Sequence, residues 1–236
     1  VGREELDLSS ESSISHYFDR NNKFDVIINC AAYTAVDKAE EEKELVNQVN
    51  YWAVKQLAVI AKKQQAKLIH ISTDYVFDGE SNKSYTETDK TNPINMYGKT
   101  KLAGEKALQE IMPTNAMIIR TSWMYSEFGN NFVKTILKLG KERDEIRIVS
   151  DQIGSPTYAT DLAEVVLKII ANKKYQNKEQ PTEIYHYSNE GEISWYEFAK
   201  EILKLAKIDC NVSPIITQQY PTPAQRPMNT TMNKDT

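Results

Sequence analysis

The chain has 236 residues, a formal charge of −4 and a pI near 5.6, which is enough length to bury one large α/β core and too acidic a balance for a nucleic-acid surface. Mean hydropathy is −0.56. There is no run of about 18 apolar residues and no charged start leading into an apolar stretch, so neither a membrane span nor a secretory leader is visible, and a cytoplasmic protein is the expectation.

In chain order, Leu6-Asp7-Leu8 reads as a short strand end, and Ser9 or Ser10 as the cap of a short helix through about Arg20. Residues Asp25 to Ala32 form a short apolar run of the kind covered on both faces in a parallel sheet. After the loop 32–37 comes a long amphipathic helix with Leu45, Val49, Trp52, Ala53, Leu57 and Ile60 on one face. Lys67 to Ile71 is the next strand, ending in Ser72-Thr73-Asp74-Tyr75, and a polar loop with turn signals at Asp78-Gly79 and Asn92-Pro93 follows it. A helix from Tyr97 to about Glu110 precedes the strand Ala116 to Arg120, which closes on Thr121-Ser122-Trp123. An indole there offers a flat apolar wall and one donor, suited to a sugar or nucleotide.

Asn130 to Gly140 is predicted as helix, Ile146 to Val149 as strand and Asp151 to Thr157 as a turn-rich loop, with Thr160 capping the helix Asp161 to Ala171. Asn172 to Thr182 reads as a polar surface excursion and Ile184 to Tyr187 as a strand. Ser194 and Glu197 form a capping box for the helix Trp195 to Ile208, and the proline-rich tail 220–227 excludes regular structure. Arg226 in that tail is either a diphosphate contact or an exposed arginine. Alternating strand and helix patterns predict an α/β fold, a Rossmann-like doubly wound parallel sheet with helices on both faces.

Chemistry concentrates at Tyr97 and Lys101. Four apart on a helix, they share a face, so the ammonium is expected to favour the phenolate and make the phenol an acid usable near neutral pH. With 13 tyrosines in the chain the spacing alone carries little, and it recurs at Tyr51/Lys55 and Tyr196/Lys200 inside amphipathic helices. What singles out the 97/101 pair is its place after a strand ending in two hydroxyls and a carboxylate, where open α/β sheets hold their sites. Cys30, Cys210, His16, His70 and His186 show no metal-ligand spacing, which argues against a protein-bound structural zinc. The glycine-rich turn that cradles a dinucleotide is not in this sequence either, since no three of the eight glycines fall close enough together. Either no dinucleotide binds or that strand, loop and helix precede Val1.

The stretches Asn29 to Glu40, Ser72 to Gly79, Tyr97 to Lys106, Arg120 to Trp123, Gly129 to Thr135, Asp151 to Thr157 and Tyr220 to Asn229 together resemble the dTDP-4-dehydrorhamnose reductases of the extended short-chain dehydrogenase/reductase superfamily. Relative to that family the chain reads as the interior of a longer protein. The resemblance implies a Rossmann-like NAD(P)-binding domain from 1–126 and 155–189, and a smaller interleaved substrate-binding part from 127–154 and 190–236. It implies NADPH- or NADH-dependent reduction of the C4 ketone of a dTDP-sugar, dTDP-4-dehydrorhamnose, to dTDP-L-rhamnose for cell-surface polysaccharide. Tyr97 would donate the proton, Lys101 would bond the nicotinamide ribose, and Thr73, with Asp74 and Trp123, would contact the sugar. Asp7 and Leu8 would lie by the adenine, and Ala32, Tyr33 and Thr34 along the cofactor. Mg²⁺ and a homodimer enter by resemblance alone, and no ligand set here matches a metal. Two other readings share the fold: a regulatory subunit like that of methionine adenosyltransferase, and a nucleotide-sugar epimerase or dehydratase. The kept Thr73, Tyr97 and Lys101 argue against the first. The absence of an Asp-Glu pair, since Tyr75 follows Asp74, argues against a dehydratase.

Overall fold

The computed structural model describes residues 1–21, 23–177 and 179–235. It begins with α1 (Glu11–Arg20), capped by the Ser10 side chain, and β1 (Val26–Asn29). The long predicted helix is three segments, α2 (Lys43–Asn47), a π turn (Gln48–Trp52) and α3 (Ala53–Gln64). β2 (Lys67–Thr73), α4 (Met96–Ile111) and β3 (Ala116–Thr121) follow. Next come β4 (Met124–Tyr125), α5 (Phe132–Glu142), β5 (Glu145–Val149), β6 (Ile153–Gly154) and β7 (Thr157–Tyr158). The remaining elements are α6 (Ala159–Ala171), α7 (Lys173–Asn177), β8 (Glu183–His186), β9 (Ile193–Ser194), α8 (Trp195–Ala206) and β10 (Asn211–Ile215).

The main sheet is parallel throughout, in the order β1-β2-β3-β8. Successive β2 side chains point to opposite faces, and each face has its own core. Leu68 packs with Ile14 and Phe18 of α1, Leu57 of α3, Leu108 of α4 and Ile118, whereas Ile69 packs with Ile119 and with Leu162 and Val166 of α6. Helices therefore cover both faces, as alternating strand and helix patterns require. A separate core joins α5 and α8 to the two-stranded sheet of β5 and β10, through Ile136, Ile146, Ala199, Ile202 and Leu203.

Several local expectations change. Leu6 to Leu8 is not a strand; Asp7 Oδ1 instead accepts from the Ser9 amide at 2.9 Å and its hydroxyl at 2.7 Å, folding the segment into a turn. β1 packs Ile27 into one core and Val26 into the other, so both faces are covered, but it is the edge strand of the described sheet, and Ile28 is 40% exposed there, as is Cys30 beyond it. Trp52 is half-exposed, since the π turn inserts a residue and rotates the apolar stripe away from it. Thr160 does not cap α6. The chain enters that helix at Tyr158, whose amide donates to Asn189 Oδ1 at 2.6 Å. In the polar excursion 172–182, where Lys178 lies outside the described residues, Tyr175 is buried against the α6 core. The strand β10 went unpredicted: Pro214 lies on it, tolerable because β10 pairs on one side only, with β5.

Candidate active site

The carboxyl ends of β2 and β3 and the start of α4 meet at one place. Thr73 ends β2, and its hydroxyl accepts from the Tyr75 amide at 3.2 Å and donates to Asp74 Oδ1 at 3.0 Å, turning the chain sharply under α4. Asn95 caps α4 by accepting from the Gly98 amide at 2.8 Å, while its amide nitrogen reaches the Gln225 carbonyl at 2.8 Å. Gly98 is required by close approach: a Cβ there would stand 2.1 Å from the Tyr75 carbonyl oxygen. This contact brings Tyr97 beside the Thr73–Tyr75 turn, with its ring edge-on to Tyr75 at 5.8 Å. One turn on, Lys101 is buried, and its Nζ donates to the Ile71 carbonyl at 2.7 Å and lies 3.3 Å from His70 Nε2.

The electrostatics differ from the expectation for the pair. Tyr97 is pushed up to about 12 by burial, with a hydrogen bond to Thr73 pulling it down and the Asp74 charge pushing it further up. Lys101 is not among the groups that lower it; its Nζ is turned toward the Ile71 carbonyl and His70 Nε2. A phenol that keeps its proton through neutral pH is in the form that donates to an oxyanion. Lys101 itself is pulled down to about 8 by burial, against the opposing charge of Glu105. Asp74 is raised to about 6 by burial, against its hydrogen bonds to Thr230 and Thr73, and among the described residues its Oδ2 has no hydrogen-bond partner. A buried carboxylate oxygen left open beside Tyr97 is suited to a ligand hydroxyl.

The Asp74 shift fixes a pH dependence. The folded state binds a proton that the unfolded chain has already lost, so this group's contribution is fully favourable below the unfolded carboxyl range. It is lost progressively as pH rises through about 6. Asp74→Asn is therefore expected to stabilise the protein at pH 8 by roughly 3 kcal/mol at most, a gain fading toward pH 4. Urea unfolding at the two pH values checks this, and a loss of stability at pH 8 would contradict it.

Asp7, Leu8, Cys30, Ala31, Ala32, Tyr33 and Thr34 line one groove of about 660 Å³ along the edge of β1, so the cofactor-side residues expected from sequence come together. Ala31 is exposed in that groove.

Trp123 stands apart from the Thr73–Tyr97 cluster. Its indole stacks on Trp195 at 3.4 Å and 9°, in a left-handed backbone conformation with φ 46°. Gly154 packs against it so closely that a Cβ there would come within 2.5 Å of the indole. Arg226 is not a free exposed arginine; it forms a two-pronged ion pair with Asp37 at 2.7 and 2.6 Å, tying the tail to the loop after β1. Of the competing pairs, Lys200 lies over the Tyr196 ring, while Tyr51 packs on Trp52 and Lys55 lies over the indole.

Sequence reasoning missed Asn50 and Trp195. Asn50, in the π turn, is buried; it accepts from the Tyr33 amide at 2.8 Å and donates to the Tyr33 carbonyl at 3.1 Å and to Thr100 at 3.3 Å, holding the groove wall against α4. An asparagine within an apolar helix face was the available signal. Among the described residues, no group of three His, Cys, Asp or Glu side chains could hold a metal ion, and no helix is long and apolar enough to cross a membrane.

Residues 1–236 match the family described as RmlD substrate binding domain. The chain is 43% identical over 235 residues to a dTDP-4-dehydrorhamnose reductase of Aggregatibacter actinomycetemcomitans, covering 97% of this chain and 79% of that protein. It is 44% identical over 224 residues to the protein of that name from Escherichia coli K12, covering 92% and 73% of the two chains. A solved dTDP-4-dehydrorhamnose reductase from Bacillus anthracis, in complex with NADP, superposes with a TM-score of 0.92 at 40% identity, over 100% of this chain and 80% of that one.

Proposed function

The chain belongs to the RmlD substrate binding domain family, and from that premise we propose how its site works: it is an NADPH-dependent oxidoreductase that reduces the C4 ketone of dTDP-4-dehydrorhamnose to dTDP-L-rhamnose. The observation that carries the reading is the Tyr97–Lys101 pair opening α4 against Thr73 and Asp74, beside the groove of residues 7–8 and 30–34. When bound, the nicotinamide supplies the hydride that reaches C4.

The chain's own residues do the rest. Thr73 donates a hydrogen bond to the ketone oxygen, which aligns the carbonyl and stabilises the charge that develops on it. Tyr97 gives its phenolic proton to that oxygen, a transfer suited to a group protonated up to about pH 12 in the free site. Lys101 bonds the nicotinamide ribose and, once freed toward it, lowers the cost of the tyrosinate left behind. Asp74 accepts from a sugar hydroxyl through its open Oδ2. Asp7 and Leu8 contact the adenine end, and Ala32, Tyr33 and Thr34 border the cofactor along the groove. Trp123, stacked on Trp195 of α8, forms the sugar-side wall.

The test is redox stoichiometry. A reductase consumes one NADPH per dTDP-L-rhamnose formed, whereas an epimerase or dehydratase of the same fold regenerates its cofactor. Product formation without net NADPH loss would overturn the proposal.

A further inference from the structure

Behind Lys101 lies a buried polar row that the reaction described above does not use. Asn29 of β1 and His70 of β2 are register partners at the carboxyl end of the sheet, 4% and 0% exposed, and Lys101 packs over them at 1%. Asn29 Nδ2 lies 3.1 Å from His70 Nδ1, and His70 Nε2 lies 3.3 Å from Lys101 Nζ. The Ala31 amide donates to Asn29 Oδ1 at 3.2 Å.

Donor and acceptor counting links the row into one device. A backbone N–H can only donate, so Ala31 holds the Asn29 oxygen toward itself and leaves Nδ2 to donate to His70 Nδ1. Burial keeps the imidazole neutral, with one donor nitrogen and one acceptor. With Nδ1 accepting, Nε2 carries the hydrogen and needs an acceptor, which the amine form of Lys101 provides and the ammonium form does not. Charging Lys101 requires three moves together. The hydrogen leaves His70 Nε2, a hydrogen is gained at Nδ1, and Asn29 turns its oxygen to the ring, giving up the Ala31 bond. Among the described residues, the other ionisable groups around Lys101 are Tyr97 one turn back along α4, Cys30 at the end of β1 and Glu105 one turn on, the last paired with Arg120 of β3; Cys30 and Glu105 favour the ammonium.

We propose that Asn29 and His70 are positioning residues that couple the charge of Lys101 to the tautomer of His70. Lys101 thereby becomes a two-position device: as an amine it is held by His70, and as an ammonium it is supported by Glu105 with the His70 tautomer reversed.

The test is NMR of the purified, cofactor-free protein carrying ¹⁵N-histidine and ¹³Cε-lysine, with signals assigned through His70→Gln and Lys101→Met. Across the Lys101 titration, near 8, the His70 ring should pass from the Nδ1–H to the Nε2–H tautomer with the same midpoint and stay neutral throughout. A single His70 tautomer on both sides of that midpoint would overturn the proposal. In Asn29→Asp, a carboxylate that can only accept holds the Nδ1–H form at every pH, so the tautomer change disappears; its persistence would also overturn the proposal. The consequence for turnover rests on Lys101 belonging to the reductase's catalytic pair. In His70→Gln the amide oxygen accepts from the ammonium without moving a proton, so the alkaline limb of kcat/KM should move up by about one pH unit. A coupled titration with an unmoved limb supports the coupling and counts against the assigned role of Lys101.

Discussion

Tyr97→Phe is expected to lower kcat by about 10²–10⁴-fold, the range a positioned general acid contributes, with KM and the unfolding midpoint little changed. The separation follows from where the side chain sits. Its ring packs edge-on against Tyr75, a contact phenylalanine preserves, and only the hydroxyl with its link to Thr73 is lost. Steady-state kinetics and thermal unfolding of the variant check both halves. Activity like that of the parent would remove Tyr97 from the reaction, and a large fall in stability would mean that the hydroxyl holds the fold.

The second large effect lies one layer below. Arg120 and Glu105 form an ion pair at 2.7 Å with both side chains almost wholly buried, and the Ser72 hydroxyl donates to the same carboxylate. The Arg120 guanidinium also lies over the Phe77 ring at 5.2 Å. Arg120→Met strands a buried carboxylate and is expected to cost about 3–5 kcal/mol, a large part of the roughly 5–15 kcal/mol by which domains are stable. Adding Glu105→Leu removes the stranded charge and should return most of the loss, since a buried pair replaced whole by apolar side chains is often neutral. Urea unfolding of the parent, single and double variants measures this. Equal destabilisation in the single and double variants would show that packing, and not the unpaired charge, sets the cost. The pair also bears on function, because Glu105 opposes the downward push of burial on Lys101.

Much of the site could be read from local pattern. Thr73 and Asp74 close a strand signal and Tyr97 and Lys101 open the next helix pattern, and those two local signals place them at one sheet end. What stayed hidden depends on pairing across the sequence. Nothing near His70 says that it sits opposite Asn29 and under Lys101; that juxtaposition needs the β1–β2 register and the seat of α4. Asn50 escaped for a related reason, because the π turn that points it inward breaks the 3.6-residue period on which the helix was drawn. Trp123 was placed on a wall without its partner Trp195, which lies 72 residues on at the first position of α8. The sign of the Tyr97 shift was also reversed. Helix spacing puts a lysine on the same face, but it does not reveal that its Nζ turns to Ile71 and His70 or that burial dominates the shift.

The most direct measurement follows the hydride. With NADPH deuterated at the transferring position and dTDP-4-dehydrorhamnose as substrate, dTDP-L-rhamnose should carry deuterium at C4 of the sugar, with one cofactor oxidised for each product. Product with no deuterium at C4, or deuterium that returns to the cofactor, would contradict it.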